Sequence, residues 1–133
     1  GGGEECVTVL RPEAFARGAV GPCVARAVEC GLDVCGVRLV YPKRGHVQKC
    51  RQVSSATLVE GAPNLVMALR GVHANRVWGA EAGPEDPRVA KMTDGGSLRA
   101  VYGINKDANL LRCSRSAAGG RKEARFFFEG GEG

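Results

Sequence analysis

The sequence predicts an α+β domain: a four-stranded antiparallel sheet with helices packed on one face. Three observations predict it. Apolar, β-branched runs bounded by Pro or Gly recur near 6–11, 32–41 and 64–70. A segment with apolar residues at helical spacing fills the gap between the first two. The length, 133 residues, suits one domain that buries roughly two-thirds of its unfolded surface.

The elements follow in order. Cys6-Val7-Thr8-Val9-Leu10 reads as a buried strand stopped at Arg11-Pro12, because proline cannot donate to a ladder. Val20, Val24, Ala27 and Val28 define a helix over 19–30, and Gly31 follows where a left-handed cap belongs. Residues 32–41 alternate as a second strand ended by Pro42, and 43–60 carry no clean period. Asn64-Leu65-Val66-Met67-Ala68-Leu69 reads as a central strand, followed by a helix at 73–80 and a short one at 88–91 after Gly83-Pro84-Glu85-Asp86-Pro87. The last strand is expected near 98–104, although that stretch, with Asn109-Leu110-Leu111, also reads as a turn or short helix leading to it. Ser116 is placed to cap a helix through 117–125, weakened by Gly119-Gly120, and Phe126-Phe127-Phe128 closes the core. The order βαββαβ is the ferredoxin-like plan, one domain over 5–128 with flexible ends at 1–4 and 129–133.

Charge is unevenly placed. Lys and Arg number nineteen against fourteen Asp and Glu, and residues 99–125 alone carry seven bases and two acids. That excess suits an acidic or phosphate-bearing partner. Aromatic residues make up 5%, too few to build a base-stacking surface, so nucleic acid is not an expected partner. No apolar run reaches the ~18 residues of a membrane span, and Gly1-Gly2-Gly3-Glu4-Glu5 is not expected to be a signal peptide. Cysteines at 6, 23, 30, 35, 50 and 113 form no Cys-x-x-Cys pair, which argues against zinc. They read as reduced thiols in a reducing compartment, with Cys6, Cys23, Cys30 and Cys35 as small core hydrophobes.

Several phrases, in order, resemble the nucleoside diphosphate kinase family. Val9-Leu10-Arg11-Pro12-Glu13-Ala14 is similar to its Ile-Lys-Pro-Asp strand end, Gly18-Ala19-Val20-Gly21 to its Gly-Leu-Val-Gly helix start, and Cys30-Gly31-Leu32 to its Lys-Gly-Phe turn. Gly61-Ala62-Pro63-Asn64-Leu65-Val66-Met67 resembles its Ser-Gly-Pro-Val-Val-Ala-Met strand. Asn109-Leu110-Leu111-Arg112-Cys113-Ser114-Arg115-Ser116 lines up with Asn-Ile-Val-His-Gly-Ser-Asp-Ser, the active-site signature. Gly83-Pro84-Glu85-Asp86-Pro87-Arg88-Val89-Ala90 and Ser97-Leu98-Arg99-Ala100-Val101-Tyr102-Gly103 resemble the divergent members found in cilia and flagella.

The resemblance implies a chemistry that the chain does not carry intact. In the family a neutral histidine takes a γ-phosphate from a triphosphate and passes it to a diphosphate. Arg112 stands at that position, and a guanidinium stays protonated at any working pH. His46 and His73 fall outside the motif and read as surface or turn histidines. Arg11, Arg76 and Arg99 match phosphate-binding positions, Asn109 a ribose contact, and Ser114 and Glu123 the residues that orient the histidine. Ala82 replaces a phosphate-contacting threonine and Arg115 the motif aspartate. The stretch from Gly36 to Gly61 is shorter than the family spacing, and no Phe or Trp between Tyr41 and Trp78 supplies a base platform.

The resulting expectation is a catalytically inactive domain acting as a structural or protein-interaction module in a ciliary or flagellar axoneme. Its partners would be axonemal or tubulin-associated proteins, with no membrane and no resident cofactor. The alternative is nucleotide or polyphosphate binding without phosphotransfer, through a remnant cleft lined by Arg11, Arg76, Arg99, Asn109 and Arg112. Only in that case would a Mg-nucleotide be held.

Overall fold

The computed structural model describes residues 3–45 and 58–129. Four strands, β1 (Glu4–Leu10), β2 (Asp33–Val40), β3 (Asn64–Gly71) and β4 (Leu111–Cys113), form one sheet in the order β2-β3-β1-β4. Every neighbouring pair is antiparallel, so the predicted fold class holds. The helices are α1 (Pro12–Ala16), α2 (Val20–Glu29), α3 (Ala74–Ala82), α4 (Pro87–Thr93), α5 (Leu98–Tyr102) and α6 (Ala117–Phe128).

β1 lies inside the sheet, and Cys6 through Leu10 are all fully buried. The two-residue side-chain period divides them between two cores. Cys6 and Leu10 join Met67, Leu69, Cys23, Ala27, Trp78 and Leu98 under α2, α3 and α5. Val7 and Val9 join Val66, Ala124 and Phe127 under α6. The expectation of helices on one face is therefore corrected: α6 covers the opposite face. Its close approach depends on Gly120, where a Cβ would fall 2.0 Å from the Glu5 carbonyl oxygen. The glycine that weakens the helix in isolation is what lets the helix dock.

A second correction concerns 98–104. That run is helix α5, because the Ser97 hydroxyl accepts a hydrogen bond from the Ala100 amide and starts a helical turn. The fourth strand comes later, at Leu111–Cys113, after Leu110 turns the chain at φ 85°. Burial also departs from expectation at Val28, which α2 turns outward while Cys23 and Ala27 face the core. Cys35 is exposed as well; the register shifts between Val34 and Gly36, so the residue between them is displaced from the ladder. Glu4, assigned to a flexible end, begins β1.

Two helix ends form where the sequence places them. Gly31 takes φ 91° behind α2, and the Ser116 hydroxyl accepts from the Gly119 amide at the start of α6. Among the described residues no helix is long and apolar enough to cross a membrane. Cys50 and His46 lie outside the described residues, and His73 is an exposed turn residue at φ 54° before α3.

Candidate functional site

The C-terminal end of β1, the adjoining end of β4, the first turns of α3 and the loop at 103–110 enclose a cleft of about 720 Å³. Arg11, Arg76, Arg99, Asn109 and Arg112, the five residues singled out by sequence, all line it, and Ser114 does too. Glu85, Lys106, Asp107 and Asn75 also line it, and sequence reasoning gave these four no role there. Glu85 falls within a family phrase but without a role there, and no short motif marks Asn75, Lys106 or Asp107, which reach the cleft only through the crossing of α3, the 103–110 loop and β4.

Arg99 forms the floor. It is 7% exposed, and its fork is spent on main-chain carbonyls: Nη1 donates to Gly83 at 2.7 Å, Nη2 to Leu111 at 2.8 Å and Nε to Asn109 at 3.3 Å. A guanidinium tolerates such burial only with its donors satisfied. Burial depresses its pKa, but an arginine this basic keeps its charge. The side chain ties α3, β4 and the 103–110 loop together.

Arg11 is answered by Glu13 two residues on, Nε to Oε2 at 3.1 Å, and its Nη2 donates to the Asp107 carbonyl at 3.2 Å. The same Glu13 oxygen accepts the Leu110 amide at 3.0 Å, and the Arg11 amide donates to the Leu110 carbonyl at 2.8 Å. Leu110 is fully buried with a positive φ, a costly conformation for a branched side chain that these bonds hold in place.

Arg112 points from β4 toward α6, where its Nη1 donates to the Glu123 Oε1 in a close ion pair. Glu123 is 11% exposed at its side chain. Ser114 is buried beside it: its hydroxyl donates to Asn75 Oδ1 at 2.5 Å and accepts the Val7 amide at 2.9 Å. Asn75 in turn donates through Nδ2 to Glu4 at 2.8 Å and to the Glu5 carbonyl at 2.9 Å. The bonds from the Asn75 side chain and backbone amide to Glu4 hold its carboxyl below the usual carboxylate range. Arg115 pairs with Glu85 at 2.6 Å, both exposed. Burial pushes the Cys113 thiol, also on the cleft wall, up to about 11. Among the described residues no group of three His, Cys, Asp or Glu could hold a metal ion.

A cationic pocket at this end of such a sheet, with an asparagine, an arginine and a serine in sequence along one wall, is the arrangement that the family phrases anticipate. The sequence profile of nucleoside diphosphate kinase matches residues 4–132. The chain belongs to that family. The Aquifex aeolicus nucleoside diphosphate kinase structure shares the fold at a TM-score of 0.79 with 22% identity, each chain covered over 95%. The Encephalitozoon cuniculi enzyme superposes at 0.77 with 23% identity, over 94% of this chain and 88% of that one. In sequence, the chain is 36% identical over 104 residues to dynein axonemal assembly factor 8 of Xenopus laevis. That match takes in 75% of this chain and 7% of the relative, so the chain spans a small part of that protein's length. Nucleoside diphosphate kinase of Delftia acidovorans is 27% identical over 135 residues, covering 96% and 94%.

Proposed function

We propose that this nucleoside diphosphate kinase domain is non-catalytic and works as a protein-interaction module in axonemal assembly. The observation that carries the first half is the pairing of Arg112 with Glu123. The motif position of the nucleophile holds a group without a lone pair to offer, and that group is held on a carboxylate. Arg99, a phosphate position by resemblance, has its donors committed to carbonyls. Ala82 is buried and brings no hydroxyl. The second half is supported by the likeness to a dynein axonemal assembly factor; on this reading the partners are axonemal proteins and the chain acts at the cilium or flagellum.

The cationic cleft favours a second reading, binding of a nucleotide or polyphosphate without turnover. Arg11, Arg76, Arg99, Lys106, Arg112 and Arg115 line it against Glu85 and Asp107. Conversion of GDP to GTP by the purified chain with ATP and Mg²⁺ tests the first reading, and none is expected above a protein-free control. Calorimetry with ADP, ATP and GTP at low and high salt tests the second. Salt-sensitive heat at micromolar nucleotide would establish it, and no heat at millimolar nucleotide would end it.

A further inference from the structure

The cations of the cleft divide by depth. At the floor, each of the three side-chain nitrogens of Arg99 donates to a carbonyl, Arg112 is held by Glu123, and Arg11 is paired with Glu13. At the rim, Arg76 on α3 and Lys106 in the 103–110 loop are exposed, and their side chains make no hydrogen bond or ion pair with a described residue. Arg115, just beyond β4, is 84% exposed at its side chain and pairs, among the described residues, with Glu85, itself 64% exposed. Among the described residues no Phe, Tyr or Trp lines the walls. A compact cluster of charge would need donors converging at the floor, and there every arginine already answers a carbonyl or carboxylate of the chain itself. Charges spread along an extended chain need only the rim.

We propose that the cleft takes an extended acidic segment of a partner protein, its carboxylates pairing with Arg76, Lys106 and Arg115. The proposal rests on the reading of the chain as a protein-interaction module and names the surface it uses. Side-chain carboxylates are already the groups that answer Arg11, Arg112 and Arg115 within the chain, so the pocket's own pairs show the chemistry it accepts. A partner glutamate displaces Glu85 from Arg115 at little cost, since an exposed pair holds only a small free energy. Such binding is steered by charge and weakens steeply with salt.

The test is fluorescence anisotropy of a labelled glutamate–glycine repeat peptide with the whole chain at low and high salt. Two triple variants accompany it. Arg76→Ala with Lys106→Ala and Arg115→Ala strips the rim. Arg121→Ala with Lys122→Ala and Arg125→Ala strips an equal charge from the exposed face of α6. Salt-sensitive binding that the rim variant weakens about tenfold, and the α6 variant less than about twofold, is the expected result. Absence of binding at low salt, equal loss in both variants, or binding that survives the rim variant would overturn it. So would tripolyphosphate that binds more tightly than the peptide and depends on Arg112 rather than on the rim. GTP formation by the wild-type chain would sink the non-catalytic reading without touching this result, so the two failures are told apart.

Discussion

Arg112 on β4 and Glu123 on α6 form an ion pair that bridges the sheet edge and the helix covering its second face. Glu123 is mostly buried and Arg112 about one-third exposed, so the pair lies between the surface and interior regimes. Removing either partner leaves a charge that water reaches only in part. Glu123→Ala is expected to lower stability by about 1–2 kcal/mol. A double-mutant cycle with Arg112→Ala in urea checks it. Additive losses would show that the two side chains do not support each other.

Gly119 and Gly120 separate intrinsic helix preference from packing. Gly120→Ala would place a methyl 2.0 Å from the Glu5 carbonyl and force α6 off β1, at a cost of about 2–3 kcal/mol. At Gly119 the nearest atom is the Ser116 hydroxyl at 3.2 Å, so Gly119→Ala should change stability by less than about 1 kcal/mol. Thermal melts of the two variants decide. Equal effects would mean that the docking contact does not set the position of the helix.

How far the sequence reaches is visible in these residues. The strands bounded by Pro12 and Pro42 were legible because proline ends a ladder whatever surrounds it. The motif positions of Arg112 and Glu123 were legible from ordered phrases, and the fold brings the two together across a separation of eleven residues. The helix at α5 was legible only as one of two readings, since five residues of mixed apolar character satisfy either period and the Ser97 cap decides only once it forms. Asn75 carried no signal at all: its role comes from Glu4, Glu5 and Ser114, about forty or seventy positions away. Glu13 was read within a phrase, but its second task, holding the strained Leu110 amide, depends on tertiary contact.

Acid stability should report on Glu4. Its carboxyl is held below the usual range chiefly by the Asn75 side-chain amide and then by the Asn75 backbone amide. A depressed folded value contributes stability that is present above the unfolded carboxylate range and is lost as pH falls through the folded value. Melting temperature followed downward from about pH 5 should fall less steeply in Glu4→Gln than in wild type. Parallel curves would show that this carboxylate is not linked to folding.

Thiol reactivity should follow burial. Burial pushes Cys6 and Cys23 up to about 12, whereas Cys35 is exposed. Native protein treated with iodoacetamide at mildly alkaline pH, then digested for mass spectrometry, should carry the label at Cys35 and not at Cys6, Cys23 or Cys113. Rapid labelling of Cys6 would mean that β1 opens far more readily than a central strand should.

The non-catalytic reading is tested most directly by acid-labile phosphate on the protein after incubation with γ-labelled ATP and Mg²⁺. Wild type and Arg112→His are compared in one experiment. The account predicts no label on wild type, because Arg112 has no nucleophilic nitrogen. It predicts none on the histidine variant either, because Arg99 stays committed to its carbonyls and Ala82 supplies no hydroxyl. Stoichiometric label on the wild-type chain would contradict the account outright. Label on the variant alone would show that the cleft still positions a nucleotide for transfer and that one substitution separates this chain from its catalytic relatives.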